Sequence, residues 1–257
     1  WPALQAWVSD LAPDVLCLQE VTRAPSPGPD WLVYRDSARR LDQRADLLAD
    51  VSRCLPEHQV RFAAAARGHL QDEDGRLAMS EHGIACWIRR DLAIRDAWQG
   101  FVHGTYRHDG WGPEPVPRAM QLFRIVTADT GDELAFGHFH GLRDPFGKGD
   151  TKERLAQSRA VCDAVIAFTT PGEPFLLAGD FNLLPDSQTF TDLAAIGLHD
   201  QVTARGHTDT RTTLYPKAQR YANYCVTSRE LTILRFDLPA EPEVSDHRPI
   251  LVDIAMR

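Results

Sequence analysis

Apolar residues recur along the chain with two different periods, and the longer period predicts helices. Residues 2–12, 42–55 and 151–168 carry apolar side chains three and four positions apart, which is the spacing of an amphipathic helix. Pro13 ends the first of these patterns, and a further short helix is expected after Thr189.

The shorter period, and short continuous apolar runs, predict strands. These lie at 14–19, 82–90, 93–102, 118–128, 133–140, 174–179, 222–228, 231–237 and 249–255. Strands outnumber helices, coming first in pairs and then with helices between them. The sequence therefore predicts an α/β fold in which two packed, mainly antiparallel sheets form a sandwich with the helices outside.

Composition narrows the class of protein. The 257 residues are 43% apolar, which is enough for a full core, and neither a linker nor a repeat divides them, so we predict one domain over 1–257. A net charge of −8 argues against coating of nucleic acid through bulk positive charge. The apolar runs are too short for a membrane helix. We expect a soluble, cytoplasmic monomer without a membrane partner, and a further segment ahead of Trp1.

The five cysteines are odd in number, widely spaced and mostly within apolar segments. This pattern predicts reduced, buried thiols, and no Cys/His spacing along the chain indicates a structural zinc site.

Acidic, amide and imidazole side chains follow several of the predicted strands. Taken singly, each has an ordinary structural interpretation as a solvated strand end, a turn or a core pair. Their joint occurrence is more informative, because strand ends converge on one rim of a sheet sandwich, where hard oxygen ligands and imidazoles suit a metal and a phosphate. The residues are Glu20, His140, Asp180, Asn182, Asp246 and His247.

Four segments that carry these residues resemble the endonuclease/exonuclease/phosphatase superfamily, which includes pancreatic deoxyribonuclease, abasic-site endonucleases, deadenylases and neutral sphingomyelinases. They are PDVLCLQEV at 13–21, HFHGL at 138–142, LLAGDFNLLPDS at 176–187 and SDHRPI at 245–250. The segments occur in the order of the family and span nearly the whole chain. The family's opening strand, which bears an Asn near the metal, is absent from this chain.

The resemblance implies a role for each residue. Glu20 is similar to the family's principal metal ligand, and Asp246 to a ligand or a water-mediated contact of Mg²⁺ or Mn²⁺. Asp180 resembles the residue that orients or deprotonates the attacking water, and Asn182 the residue that holds this water and the phosphate. His140 and His247 then stabilise charge on the pentacoordinate phosphorus.

One strand departs from the family pattern. The family has an Asp before a Tyr shortly ahead of SDH, where it orients the catalytic His, and this chain has Asn223 in the segment YANYCV. An amide accepts a hydrogen bond from an imidazole N–H but does not stabilise an imidazolium. Asn223 therefore implies a tuned site, a weakened site or a shifted alignment.

Basic residues that follow His140, and others interleaved with tyrosines near 210–221, are candidates for binding phosphate; the alternative is that they are solvated loops. The substrate-binding candidates are Arg118, Arg143, Lys148, Lys152, Arg211 and Tyr215. The expected function is a metal-dependent phosphodiesterase or nuclease acting on nucleic acid or nucleotides. The alternatives are a phosphatase of a small phosphoester and a weakened phosphate-binding module. A zinc hydrolase of the HxHxDH type is disfavoured, because Leu142 and Arg143 stand where Asp and His are needed.

Overall fold

A five-stranded sheet begins the fold in the computed structural model, which describes residues 1–35, 40–110, 116–128, 130–144 and 146–255. The other residues of the predicted domain lie outside this description. The sheet contains β1 (Val15–Arg23), β2 (Trp31–Arg35), β3 (Arg40–Arg44), β4 (His58–Gln71) and β5 (Leu77–Arg89). Its strand order is β1-β5-β4-β2-β3, and all neighbours are antiparallel. Two helices, α1 (Pro2–Leu11) and α2 (Leu47–Cys54), accompany it.

A six-stranded sheet forms the second layer. It contains β6 (Leu92–His103), β7 (Arg118–Thr127), β8 (Glu133–His140), β9 (Phe175–Asp180), β10 (His199–Asp200) and β11 (Asn223–Thr227), in the order β10-β11-β9-β8-β7-β6. Helices α3 (Lys152–Phe168), α4 (Gln188–Ala195) and α5 (Gln201–Ala204) accompany this sheet, and β12 (Thr232–Asp237) pairs with β13 (Leu251–Ala255) in a separate ribbon. Strands β8 and β9 run parallel through the crossover helix α3, whereas the other pairs are antiparallel.

The buried apolar side chains separate into layers that confirm the predicted sandwich. Cys86 and Ile88 of β5 pack against Phe123 of β7 and Phe136 of β8, and this cluster is the core between the two sheets. The next residues along β5, Ala85 and Trp87, point the other way into the layer formed with α1 and α2. Residues of α3 pack on the outer face of the second sheet, among them Val161 and Val165.

One predicted helix was placed wrongly at its start. The pattern over 42–55 predicted a single helix, but residues up to Arg44 belong to β3, which pairs with β2 at the edge of the first sheet. The helix begins only at Leu47, because the Asp46 side chain accepts a hydrogen bond from the backbone N–H of Ala49 at 3.1 Å and caps it. Strands β2 and β4 were not predicted. Among the described residues, no helix has the length and apolar character needed to cross a bilayer.

Candidate active site

Three neighbouring strands of the second sheet bring three of the candidate residues side by side. His140 is the register partner of Asp180 on the parallel strands β8 and β9, and Asp180 is the partner of Asn223 on the antiparallel strands β9 and β11. Parallel strands present their carboxyl ends at the same edge, so the crossover through α3 places His140 and Asp180 together. This rim is where the site is assembled.

Gly179 permits the close approach of β8 and β9 just before Asp180. Its φ is +149°, and a Cβ atom there would lie 2.1 Å from the carbonyl oxygen of Phe139. Only glycine is compatible with this contact and this conformation. The Gly of the GDFN segment is therefore needed to hold Asp180 beside His140.

Asp180 is oriented by the chain that follows it. Its Oδ1 accepts a hydrogen bond from the backbone N–H of Asn182 at 2.8 Å, and Asn182 adopts a left-handed φ of 56°. The Asn182 side chain donates from Nδ2 to the carbonyl oxygen of Gly141 at 3.2 Å. Asp180 is 5% exposed, and its second oxygen, Oδ2, faces the two histidines. One carboxylate oxygen is thus fixed and the other is directed into the site.

Glu20 reaches the site from the first sheet, but not from a strand end as predicted. Strand β1 continues to Arg23, and its register with β5 shifts between Leu18 and Val21, so two residues of β1 oppose Ile84. Glu20 lies in this bulge with φ 56°. Bulges re-aim a side chain, and a non-glycine residue in this region of φ is strained. The Glu20 side chain is 69% exposed, and its Oε1 lies 3.9 Å from Nε2 of His140.

His140 is held as a neutral imidazole. Nη1 of Arg118 lies 3.1 Å from Nδ1 and 3.4 Å from Nε2 of His140. Nε2 faces the carboxylates, 3.8 Å from Oδ2 of Asp180 and 3.9 Å from Oε1 of Glu20, so the hydrogen of the neutral ring is assigned to Nε2. Burial lowers the pKa of His140 well below its ordinary value, and the positive charge of Arg118 lowers it further. His140 therefore presents an N–H donor to the space between Glu20 and Asp180.

His247 is oriented by Asn223. The Asn223 amide donates from Nδ2 to the carbonyl oxygen of Arg248 at 2.8 Å, so its Oδ1 accepts the Nδ1 hydrogen of His247 at 2.5 Å. Nε2 of His247 then lies 3.6 Å from Oδ2 of Asp180 and 3.8 Å from Oδ1 of Asp246. The structure thus places Asn223 behind the imidazole, at the position for which the resemblance implies an Asp.

Cationic side chains surround the acidic centre. Arg211 is 4% exposed, pairs through Nη1 with Oδ2 of Asp246 at 2.7 Å, and lies 4.1 Å above the ring of Tyr215. Lys148 lies 5.2 Å above the same ring and donates to the carbonyl oxygens of Gln219, at 3.2 Å, and Tyr221. Burial lowers the pKa of Lys148 to about 8, with a further contribution from Arg211. An anion is favoured beside these crowded cations.

Two substrate-binding candidates are not brought into this cluster. Arg143 and Lys152 are exposed, and no hydrogen bond or ion pair within the described ranges joins them to the catalytic candidates. A neighbouring cation, Arg154, is buried and donates to the carbonyl oxygens of Leu142, Gly149 and Asn182, so it supports the loops. Its position favours a structural role over contact with substrate.

His82 was not predicted as a site residue, although the charges of Glu20 and Arg118 both act on its imidazole. It is the β5 partner of Thr22 beside the bulge. Burial lowers its pKa, Glu20 opposes this shift, and Arg118 adds to it. The sequence could have indicated it, because His82 is the first residue of a predicted apolar strand and His140 is the last residue of another.

The residues at this rim fit a hard divalent cation. Glu20 offers an exposed carboxylate that forms no hydrogen bond within the part of the chain described. Asp246 uses Oδ2 for Arg211 and presents Oδ1 toward His247. Carboxylate oxygens are the ligands that Mg²⁺ and Mn²⁺ prefer.

Comparison with known proteins addresses the family and the fold of this chain. The sequence model described as the Endonuclease/Exonuclease/phosphatase family matches residues 3–247. A search of curated proteins finds no significant match. Solved structures of similar fold are numerous, and they include a nocturnin, a phosphatase and a TDP2.

The catalytic domain of human nocturnin with bound sulfate has a TM-score of 0.65 at 17% identity, covering 99% of this chain and 84% of that one. A mannosyl-6-phosphatase of Bacteroides thetaiotaomicron has a TM-score of 0.64 at 16% identity, covering 98% and 89%. TDP2 of D. rerio, complexed with a single-stranded DNA product, has a TM-score of 0.59 at 15% identity, covering 97% and 88%.

Proposed function

Since the chain belongs to the endonuclease/exonuclease/phosphatase family, whose members hydrolyse phosphoester bonds, we propose that it is a Mg²⁺- or Mn²⁺-dependent phosphodiesterase acting on nucleic acid or nucleotides. The observation that carries this proposal is the arrangement around Oδ2 of Asp180. Two imidazoles lie 3.6 and 3.8 Å from that oxygen, with the carboxylates of Glu20 and Asp246 beyond them.

Asp180 is the proposed acceptor of the proton of the attacking water. Its Oδ1 is occupied by the backbone N–H of Asn182, so Oδ2 is the oxygen that takes the proton. Asn182 uses Nδ2 for the carbonyl of Gly141, which leaves its Oδ1 to accept a hydrogen of the same water. Together, the two side chains would direct the water oxygen toward phosphorus.

The two histidines are the proposed partners of the phosphate oxygens. His140 would donate from Nε2–H, because Nε2 is the ring nitrogen that faces Glu20 and Asp180. His247 presents Nε2, since Nδ1 is bound to Asn223, and it donates to an oxygen only when the ring is protonated. Donors fixed in advance stabilise charge that develops in the transition state. Glu20 and Asp246 would hold the divalent cation, whose chemistry is neutralisation of phosphate charge as a Lewis acid.

Lys148 and Arg211 are proposed to hold the phosphate group. Both cations contact the ring of Tyr215, which positions them. Tyr215 is half-buried beneath these charges, so stacking on a base is not its principal role. A DNA product in a protein of the same fold supports a nucleic-acid substrate. A phosphatase of a small phosphoester is the second candidate, favoured by the concentration of Arg118, Lys148 and Arg211 in one place, which suits a dianion.

The first experiment compares a generic phosphodiester, bis(p-nitrophenyl) phosphate, with the monoester p-nitrophenyl phosphate. Each is assayed with Mg²⁺, with Mn²⁺ and with excess chelator, using the wild type, Glu20→Ala and the control Glu57→Ala, an exposed carboxylate outside the site. We expect diester hydrolysis that requires the metal, is lost in Glu20→Ala and is kept in Glu57→Ala. Full activity in chelator would contradict the metal assignment, and faster monoester hydrolysis would favour the phosphatase.

A second experiment separates the substrate classes. Single-stranded and duplex DNA, RNA, nucleotides and sugar phosphates are offered to the wild type and to Asp180→Asn. We expect cleavage of nucleic acid or nucleotides that depends on Asp180. Binding of phosphate without turnover on any substrate would indicate a weakened binding module.

A further inference from the structure

A second group of possible metal ligands lies in the core between the two sheets. Cys17 of β1 and Cys86 of β5 are register partners, and their Sγ atoms lie 3.6 Å apart. His138 of β8 faces them from the other sheet, and one ligand atom from each of the three residues lies within 4.8 Å of the others. Cys86 and His138 are inaccessible to solvent, whereas Cys17 is half-buried on the edge strand β1.

The imidazole of His138 is already oriented as a ligand. Gln121 donates from Nε2 to Oε1 of Gln99 at 3.4 Å, which leaves its own Oε1 to accept a hydrogen bond from Nε2 of His138 at 2.8 Å. The lone pair is therefore on Nδ1. Metal-bound histidines commonly donate their other N–H to such an oxygen, which fixes the tautomer. Burial also lowers the pKa of His138 to about 3, so the ring stays neutral.

We propose that Cys17, Cys86 and His138 bind one Zn²⁺ ion between the sheets. Ligand distances support this assignment, because two sulfurs that are each about 2.3 Å from zinc lie about 3.8 Å apart in a tetrahedron. The two Sγ atoms are 3.6 Å apart before any ion is bound. The side-chain amide of Gln19 lies 3.5 Å from Nδ1 of His138, and after exchange of its amide atoms its oxygen supplies the fourth ligand.

Charge favours zinc over a monovalent soft cation. Binding displaces the two thiol protons to solvent, and Zn²⁺ with two thiolates has no net charge, which is the least costly arrangement in a buried core. Cu⁺ with the same ligands would leave one negative charge there. The site differs from the catalytic rim, where the ligands are carboxylates, and soft thiolates discriminate against Mg²⁺.

An ion here would join the two sheets close to the catalytic rim. Cys17 precedes Glu20 by three residues on β1, and His138 precedes His140 by two on β8. The zinc site would therefore fix the separation of the strands that carry Glu20 and His140, as a structural ion rather than a catalytic one.

Cobalt reports on this site without relying on activity. The reduced whole chain is freed of metal, supplied with excess Mg²⁺ to compete at the catalytic rim, and titrated with Co²⁺. We expect thiolate-to-cobalt charge-transfer absorption that saturates at one equivalent and disappears when one equivalent of Zn²⁺ is added. Absence of this absorption would overturn the proposal.

Variants assign the ligands. Cys17→Ala and Cys86→Ala should each reduce the charge-transfer absorption by about half or more, since each removes one of two thiolates. Cys162→Ala, which removes a buried thiol on α3, should leave it unchanged. If a ligand variant does not fold, X-ray absorption of the zinc-loaded wild type decides, and we expect two sulfur ligands at about 2.3 Å. Zinc without sulfur ligands, or a Cys17–Cys86 disulfide that forms in the presence of zinc, would refute the assignment.

Discussion

Nη1 of Arg118 lies 3.1 Å from Nδ1 of His140, and this contact determines what the histidine can do. The same Nη1 lies 3.4 Å from Nε2, and the positive charge of the guanidinium opposes protonation of the ring. His140 thus offers one N–H and no positive charge. Arg118 is a positioning residue in this arrangement, in addition to any contact it makes with substrate.

Arg118→Met should therefore lower kcat. A hydrogen bond that involves a charged group contributes about 1.5–3 kcal/mol, which corresponds to roughly 10- to 100-fold in rate. The pKa of His140 should also rise, because one of the charges that lower it is removed. The measurement is kcat against pH beside Arg90→Met, an exposed control. An unchanged rate and pH profile would show that Arg118 does not orient His140.

Asp180→Asn should depress turnover far more than substrate affinity. The amide oxygen still accepts the hydrogen bond from Asn182 N–H, so the loop geometry is kept, but the group no longer takes a proton. Loss of a general base costs about 10²- to 10⁴-fold in kcat, with KM nearly constant. Asp186→Asn, an exposed carboxylate in the following loop, is the control. A rise in KM at constant kcat would instead indicate that Asp180 binds substrate.

Lys148 gives a pH prediction. Its pKa of about 8 means that the ammonium loses its charge in the folded protein from about pH 8, rather than near the ordinary 10.5. We expect KM for a phosphoester to rise as the pH passes through this range. In Lys148→Met, KM should be higher at pH 7, and its rise near pH 8 should be absent. The same rise in the variant would assign it to another group.

The free energy of unfolding should also depend on the protonation of Lys148, and it should increase over the pH range in which phosphate binding weakens. Between about pH 8 and 10.5 the unfolded chain keeps the Lys148 proton that the folded chain has lost. The cost of burying the charged ammonium is therefore removed as the pH rises, and the free energy of unfolding increases. Denaturant unfolding of wild type and Lys148→Met across this window measures the difference. Equal slopes of unfolding free energy against pH would contradict the assignment.

The sequence predicted the strands that carry the site residues better than the strands and the helix start at the edge of the first sheet. Strand β8 was predicted with its observed bounds at 133–140, because it holds the apolar run Leu134–Phe136 and every residue after Glu133 is buried. In contrast, β4 alternates between buried and exposed positions only from Ala66 onward, and its sequence HQVRFAAAARGHLQ has small or polar residues on both faces, so its hydrophobic pattern did not predict a strand. The start of α2 depended on the pairing of β3, a contact that local periodicity does not contain.

The candidate site shows the same division. The segments at Asp180 and His247 follow from local sequence. Strand register places Asn223 beside Asp180, and the hydrogen bond to Asn223 holds His247 there. The bulge at Glu20 arises from pairing between β1 and β5, so hydrophobic periodicity does not reveal it. The partners of the cations, such as Asp246 for Arg211, are distant in sequence and were not predicted. The catalytic roles of these residues stay predictions.

Asn223→Asp tests the residue that binds the imidazole of His247. The Asn223 amide is fixed by the carbonyl of Arg248 and accepts the Nδ1 hydrogen of His247 at 2.5 Å. A carboxylate in the same place keeps that hydrogen bond and adds a negative charge, which favours the protonated imidazole that can donate from Nε2 to phosphate.

We expect kcat to rise, by up to about 10⁴-fold if the effect equals that of the orienting carboxylate in a hydrolase triad. KM should change little, because residue 223 contacts the imidazole rather than the substrate. Rates are measured from pH 6 to 9 beside Gln5→Glu, which adds the same charge at an exposed position of α1. The pH profile of the rate should change in Asn223→Asp alone. A rate that is unchanged or lower, with an unaltered pH profile, would show that His247 does not act as a protonated donor in this enzyme.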